Sequence, residues 1–169
     1  MALMGNGMAW NPKRATKGRI AENLTEELFR ELDFHVYPYG WEKTVPGLAK
    51  ILGRNKKRIG VQKSIAYSPD FVVHHEEKGT FFIEVKYRSN SSLKRKDAAN
   101  YHEDTLFVLF SQKMIQCISQ NELTSGEELT EKYQRKFMLG SRSEFGFDKN
   151  DKEKIREYCE HAISFFGEN

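Results

Sequence analysis

The sequence predicts an α/β fold with a central mixed β-sheet flanked by helices. An apolar residue recurs every fourth position from Ile20 to Leu32, short β-prone segments follow in the middle of the chain, and a second amphipathic pattern ends it. Apolar residues make up 38% of the 169 residues and charged residues 30%, which is typical of a globular domain. We expect a flexible leader over residues 1–16 and a single domain over residues 17–169.

Local patterns define the individual elements. The Ile20 to Leu32 stripe predicts a helix over residues 18–32. A serine N-cap predicts a helix over residues 91–103, and the Ser125 to Glu128 capping box predicts another that reaches Phe137. Alternating or continuous apolar runs predict strands at residues 35–39, 71–75, 80–87, 105–110 and 114–119.

Two further segments complete this assignment. Residues 43–68 are basic and rich in turn formers, so we expect a long loop with a short helical turn from Pro46 to Gly53. The last helix should begin near Asn150 or Asp151, and its apolar stripe runs from Ile155 to Phe166. The predicted core therefore has additional helices on its C-terminal side.

Composition excludes several classes of protein. No apolar run approaches the length of a bilayer span, and the first residues lack the apolar core of a secretory signal. Cys117 and Cys159 are far apart and should be free thiols in a reducing compartment. We therefore expect a cytoplasmic protein with no membrane partner. Because no Walker motif or dinucleotide fingerprint is present, we expect no nucleotide cofactor.

The residues that indicate chemistry lie in two adjacent predicted strands. Asp70 precedes the strand at residues 71–75, and Glu84 and Lys86 lie within the strand at residues 80–87. Alternate side chains of a strand share a face, so Glu84 and Lys86 point the same way. An acid and a base on one face, between strong strand formers, are not required for packing.

The register of the hairpin decides whether Asp70 joins them. A three-residue loop at residues 77–79, with Gly79 at positive φ, would place Val72 opposite Glu84 and Asp70 opposite Lys86. Asp70 would then share the face of the other two side chains, whereas a shift of one residue would turn it away.

Two neighbouring carboxylates suit a hard divalent cation. Asp70, Glu84 and the backbone carbonyl of Val85 offer oxygen ligands for Mg²⁺, with Mn²⁺ as an alternative ion. Such an ion polarises a phosphodiester and lowers the pKa of bound water, and Lys86 can orient that water or stabilise developing charge. The pattern predicts metal-dependent phosphodiester hydrolysis. Surface salt bridges on a half-exposed sheet are the alternative interpretation.

The pattern resembles the PD-(D/E)XK, or restriction-endonuclease-like, nuclease superfamily. Its motif corresponds here to Pro69-Asp70 followed by Glu84-Val85-Lys86, and the predicted order matches that family's α-β-β-β-α-β core. The resemblance covers about residues 18–110 and implies that the two acids bind metal while Lys86 serves the attacking water. Many members carry a further glutamate on the first helix, often in a Gly-x-x-x-Glu pattern that Gly18 and Glu22 match here. The resemblance implies a catalytic role for Glu22, with Glu26 or Glu27 as alternatives.

The distribution of positive charge indicates the substrate. Although the net charge is only +3, two clusters are strongly basic and are predicted to contact nucleic-acid phosphates: Lys56, Lys57 and Arg58, and Arg88, Lys94, Arg95 and Lys96. The resulting prediction is a DNA endonuclease, and a palindromic or junction substrate would favour a homodimer. The alternative is a catalytically inactive module of the same fold that binds DNA or a partner protein.

Overall fold

The computed structural model describes residues 12–40 and 60–167, which form a five-stranded mixed sheet with helices on both faces. The predicted α/β class is therefore confirmed. Within the described ranges, no helix is long and apolar enough to cross a membrane. The elements are α1 (Pro12–Glu31), β1 (His35–Pro38), α2 (Val61–Ala66), β2 (Phe71–His75), β3 (Gly79–Tyr87), α3 (Arg95–Ala98), β4 (Thr105–Phe110), β5 (Ile115–Ser119), α4 (Gln120–Thr124) and α5 (Lys149–Gly167).

The strands are arranged in chain order, from β1 at one edge to β5 at the other. Only β3 and β4 run parallel, because their connection through α3 crosses over, whereas the other neighbouring pairs are antiparallel. In the parallel pair, Glu84 lies beside Phe107 and Lys86 beside Leu109. The two charged residues therefore lie next to a fully buried strand.

Each face of the sheet has its own apolar cluster. The first face packs Ile83, Val85 and Val108 against α1 and α5. The second face packs Phe107 and Leu109 against α3, α4 and the segment that follows α4. Because side chains alternate along β3, Glu84 and Lys86 lie on the second face, at the border of its cluster. This border positions the candidate site.

Both long helices begin earlier than expected. Helix α1 starts at Pro12, so residues 12–16 are helical rather than part of a flexible leader. Proline is well suited to a first helical position, since it has no N–H to satisfy and its φ is already helical. Helix α5 starts at Lys149, where the carboxylates of Asp148 and Asp151 each accept a hydrogen bond from the other's backbone N–H. In its predicted stripe, Ile155, Ala162 and Phe166 are buried, and the stripe residues between them are buried only in part.

The helix predicted over residues 91–103 is wrong, since only Arg95–Ala98 is helical. Ser91 cannot be its N-cap because it is buried with φ +50° in a turn that also involves Asn90, whose side chain accepts from Ser92 N.

The long loop predicted over residues 43–68 is interrupted by a helix, because α2 occupies residues 61–66. The predicted turn from Pro46 to Gly53 lies outside the described residues.

The helix predicted from Ser125 to Phe137 is also wrong. The capping box lies six residues earlier, where Ser119 and Glu122 exchange hydrogen bonds and α4 begins. Gly126 then takes φ +105°, and Leu129 pairs with Leu93 in an isolated bridge. Arg142 holds the segment by a forked ion pair to Glu122, at 2.9 and 3.1 Å. Three short 3₁₀ turns, rather than a helix, connect to α5.

The β2–β3 hairpin has a register two residues from the predicted one. Val72 lies opposite Phe82 rather than Glu84, and His75 lies opposite Gly79. The turn closes early because His75 Nδ1 accepts from the backbone N–H groups of Glu77 and Lys78, at 3.1 and 3.3 Å. A shift of two residues keeps every side chain on its face, so Asp70 still joins the face of Glu84.

The turn of this hairpin is tied to the start of α5. Lys78 donates to Asp151 at 2.7 Å, and both side chains are largely shielded from solvent. Burial would raise the pKa of Asp151, but the hydrogen bonds from Lys78 and from the backbone of Asp148, with the charges of Lys78 and Lys154, together hold this pKa below its usual range. The pair therefore stabilises the fold above an unfolded pKa of about 4, and this contribution is lost as pH falls through the lower folded pKa.

Replacing Lys78 by Met should destabilise the protein by about 1–3 kcal/mol near neutral pH, because Asp151 loses a charged partner. As pH falls through the lowered folded pKa, Asp151 becomes protonated in the wild type too, and the difference should shrink. Urea unfolding at a series of pH values from about 7 down to about 2 measures this, with the exposed Lys152→Met as the matched control. An equal penalty at every pH would contradict the assigned ion pair.

Candidate active site

Asp70 lies where the chain enters β2, one residue beyond the last strand pair, Phe71 with Ile83. Its Oδ2 accepts a hydrogen bond from the backbone N–H of Val85 at 2.8 Å. This hydrogen bond holds the carboxylate against β3 at Val85, the residue between Glu84 and Lys86. Asp70 therefore lies beside Glu84, whereas the sequence placed it opposite Lys86. The three predicted residues are nevertheless brought together.

Glu84 is the buried member of the group, with 5% of its surface exposed. Lys86 Nζ forms an ion pair with Glu84 Oε1, and the hydroxyl of Tyr101 donates to the same oxygen at 2.7 Å. Lys86 Nζ also donates to the Tyr101 oxygen at 3.2 Å. The three side chains thus form a closed hydrogen-bonded network, which satisfies a carboxylate that burial alone would penalise.

The network keeps Lys86 protonated. Burial would lower the pKa of this ammonium, but the charge of Glu84 and the Tyr101 oxygen outweigh it, and the net effect is a raised pKa. Burial, reinforced by Glu84, also raises the pKa of the Tyr101 hydroxyl. Both groups are therefore hydrogen-bond donors at neutral pH, and Lys86 in this arrangement supplies positive charge rather than a proton acceptor.

Tyr101 was missed by the sequence reasoning, which placed it inside a predicted helix. It follows α3 in a turn where its backbone N–H donates to the carbonyl of Ala98 at 3.0 Å. Its ring contacts Phe107 edge-on and also packs against Tyr67. No local signal marks it, because the crossover between β3 and β4 brings it to Glu84 from 17 residues away.

The donor set fits a hard divalent cation in kind. Asp70 and Glu84 offer carboxylate oxygens from neighbouring positions on one face, the ligand type that Mg²⁺ prefers. Among the residues that the structure describes, no group of three or more His, Cys, Asp or Glu is arranged to hold a metal ion. Mg²⁺ keeps several waters and is often bound by only one or two carboxylates. The backbone carbonyl of Val85 stays a predicted additional ligand.

Glu22 is not shown to join this group. It is half-buried on α1, next to Ala21, whose side chain packs in the cluster on the first face. Glu84 and Lys86 lie on the second face. A catalytic role for Glu22 therefore stays a prediction.

The predicted phosphate contacts differ in their surroundings. Arg88 forms an ion pair with Asp97 at 3.0 Å, and Lys94 pairs loosely with Glu128 at 3.7 Å. Arg95 and Lys96 are exposed on α3 and make no ion pair with a described residue. Lys56, Lys57 and Arg58 lie outside the described residues.

If the site catalyses the phosphodiester hydrolysis that the sequence predicts, removing the Tyr101 hydroxyl should impair cleavage while leaving the fold unchanged. Tyr101→Phe keeps the ring contacts but removes a hydrogen bond to a charged group, which corresponds to about a tenfold to hundredfold loss in kcat. The Mg²⁺ concentration for half-maximal rate should also change, because Glu84 would be less firmly oriented. Steady-state kinetics across a Mg²⁺ titration measure both quantities. Tyr158→Phe, on α5, is the control, and wild-type behaviour of Tyr101→Phe would remove Tyr101 from the site.

Comparison with protein-family models and with curated proteins finds no match to this chain, so functional inference depends on the site itself.

Proposed function

We propose that the protein is a divalent-metal-dependent nuclease of the PD-(D/E)XK type that hydrolyses phosphodiester bonds in DNA. The observation that carries the proposal is the convergence of Asp70, Glu84 and Lys86 on one sheet face, with Asp70 bonded to the backbone between the other two. The element order α1-β1-β2-β3-α3-β4 supports the restriction-endonuclease-like core, with α2 as an addition before β2.

Each residue of the site has a distinct part in this proposal. Asp70 and Glu84 hold the cation, which when bound supplies Lewis-acid polarisation of the phosphodiester and a more acidic water. Lys86, as an ammonium, donates to the attacking water or to phosphate oxygens and stabilises their developing negative charge. Tyr101 holds Glu84 and Lys86 at fixed positions. The buried floor formed by Phe107 lowers the local dielectric constant and strengthens these interactions.

Exposed cations near the site support a nucleic-acid substrate. Arg95 and Lys96 on α3 are available for phosphate contacts of the sequence-independent kind. Endonucleolytic cleavage, a homodimer and a cytoplasmic location remain predictions from the sequence.

Cleavage of supercoiled plasmid in Mg²⁺, compared with EDTA, tests the proposal. A nuclease should nick or linearise the plasmid only with the metal, and Mn²⁺ should substitute. The alternative, an inactive module that binds DNA or a protein, is consistent with the Lys86–Glu84 ion pair, which neutralises the acid without a cation. The protein could instead bind the plasmid but cleave neither plasmid nor linear DNA in Mg²⁺ or Mn²⁺. That result would overturn the proposed nuclease activity and favour the inactive binding module.

A further inference from the structure

An aromatic cleft of about 310 Å³ borders the candidate active site. Four of its side chains are aromatic, and the other lining residues that the structure describes are Pro69 and polar residues without a carboxylate or ammonium group. The aromatic residues are Tyr39, Tyr67, Phe82 and Tyr101, with Asn100 and His102 among the polar ones. Tyr39 is 43% exposed, and its ring lies 5.3 Å from that of Phe82. Such a surface offers ring faces for stacking and an amide for hydrogen bonding.

A basic groove of about 400 Å³ lies beyond the other end of the site. Among the residues that the structure describes, the charged ones that line it are positive: Lys13, Arg14 and Lys17 of α1, and Arg88 after β3. The other lining residues are Tyr87, Ser89, Asn90 and Gln112, which are neutral donors and acceptors. Asp97 neutralises part of the charge of Arg88. The groove, which is lined by basic and neutral polar side chains, is suited to a chain of phosphates.

Strand β3 connects the cleft and the groove through the site. Phe82, Glu84 and Lys86 share one face, and Arg88 follows at the end of the strand. Six residues of strand correspond to roughly 20 Å, so Phe82 in the cleft and Arg88 in the groove are about this far apart, with Glu84 and Lys86 between them. Tyr101 belongs both to the cleft and to the Glu84–Lys86 network. A ligand that occupied the cleft would therefore be held next to Asp70 and Glu84.

We propose that the protein binds a single-stranded segment of DNA along β3, with an unpaired base in the aromatic cleft and the adjoining backbone in the basic groove. The inference rests on the proposed function, since it places the scissile phosphate between the two regions. Aromatic rings can stack on a base only when its face is free, which a paired duplex does not allow. The described lining of the cleft holds no carboxylate, ammonium or guanidinium group, which fits a base, and the basic residues that line the groove fit phosphates.

Binding measured in EDTA separates this inference from catalysis. The probe is a fluorescein-labelled DNA of about 20 nucleotides and mixed sequence, used as a single strand and as a blunt duplex. Wild type should bind the single strand more tightly. Tyr39→Ala should weaken single-strand binding about tenfold, since one base can no longer stack, and Tyr39→Phe should restore it. Tyr133→Ala, at an aromatic residue that is 67% exposed elsewhere, should bind like wild type.

The groove is tested by the salt dependence of the same binding. Lys13→Ala/Lys17→Ala should reduce the slope of log K against log salt by about 1.4 on the single strand, about 0.7 for each phosphate that is no longer neutralised. Lys132→Ala/Lys152→Ala removes equal charge from exposed positions outside the groove and should leave the slope unchanged. Circular dichroism confirms that each variant is folded.

Equal affinity for single strand and duplex, or unaltered binding by Tyr39→Ala and the Lys13/Lys17 variant, would overturn the inference. Failure of the proposed function gives a different result: the single strand binds and responds to these variants, but no cleavage occurs in Mg²⁺ or Mn²⁺. Conversely, the protein could cleave DNA with metal although the Tyr39 and Lys13/Lys17 variants bind like wild type. That result would support the nuclease and contradict single-strand binding along β3.

Discussion

Asp70→Asn is expected to reduce metal-dependent cleavage by about 10³-fold, because the site loses one of its two carboxylates. The asparagine carbonyl can still accept the hydrogen bond from Val85 N–H, so the substitution removes charge without breaking the contact with β3. Asp70→Ala removes both and should be equally inactive, but also less stable by about 1 kcal/mol. Plasmid cleavage rates and thermal unfolding of the two variants measure the two effects separately.

Asp104→Asn is the matched control, since this carboxylate is 74% exposed in the turn before β4 and lies outside the proposed site. It should cleave at the wild-type rate. If Asp70→Asn cleaves as fast as the control, Asp70 does not hold the metal and the site assignment fails.

Phe145→Ala should have the largest effect on stability, about 3–5 kcal/mol. Phe145 is fully buried on the segment between α4 and α5, and its ring contacts Phe29, Phe34, Phe81 and Phe147. These contacts join α1, the start of β1 and β3, so the cavity would open where several elements meet. At about 2–4 °C per kcal/mol for a chain of this size, the melting temperature should fall by roughly 10 °C.

Phe165→Ala provides the comparison, because this ring is 52% exposed on α5 and most of its surface is already in contact with water. Its melting temperature should change by no more than about 2 °C. If the two variants melt together, the segment around Phe145 does not form part of the core, and the first face is held by α1 and α5 alone.

Strand positions and side-chain faces were predictable from the sequence. The alternation in β3 placed Glu84 and Lys86 on one face because successive residues of a strand point to opposite sides. The predicted hairpin register was wrong by two residues, yet Asp70 kept its face since the period of a strand is also two. The face to which each strand residue points depends only on whether its position is odd or even along the strand. This alternation was therefore sufficient to predict that Asp70, Glu84 and Lys86 lie together.

Polar segments were predicted less well, because capping motifs are short and occur in competing positions. Ser125 and Glu128 match the same capping pattern as Ser119 and Glu122, but only Ser119 and Glu122 begin a helix. The difference is non-local: Arg142 forms ion pairs with Glu122, while Leu129 is drawn into a bridge with Leu93. Both contacts join residues far apart in the chain. Local helix propensity therefore could not show which of the two capping motifs begins a helix.

By itself, the sequence determined the α/β class, the five strands and the shared face of Asp70, Glu84 and Lys86, since each follows from backbone geometry over a few residues. Only the tertiary structure decided that Tyr101 completes the network and that an aromatic cleft and a basic groove lie at opposite ends of β3. These features join residues far apart in the chain. Their positions depend on how the parallel crossover and α1 pack on the sheet, and no local periodicity encodes that packing.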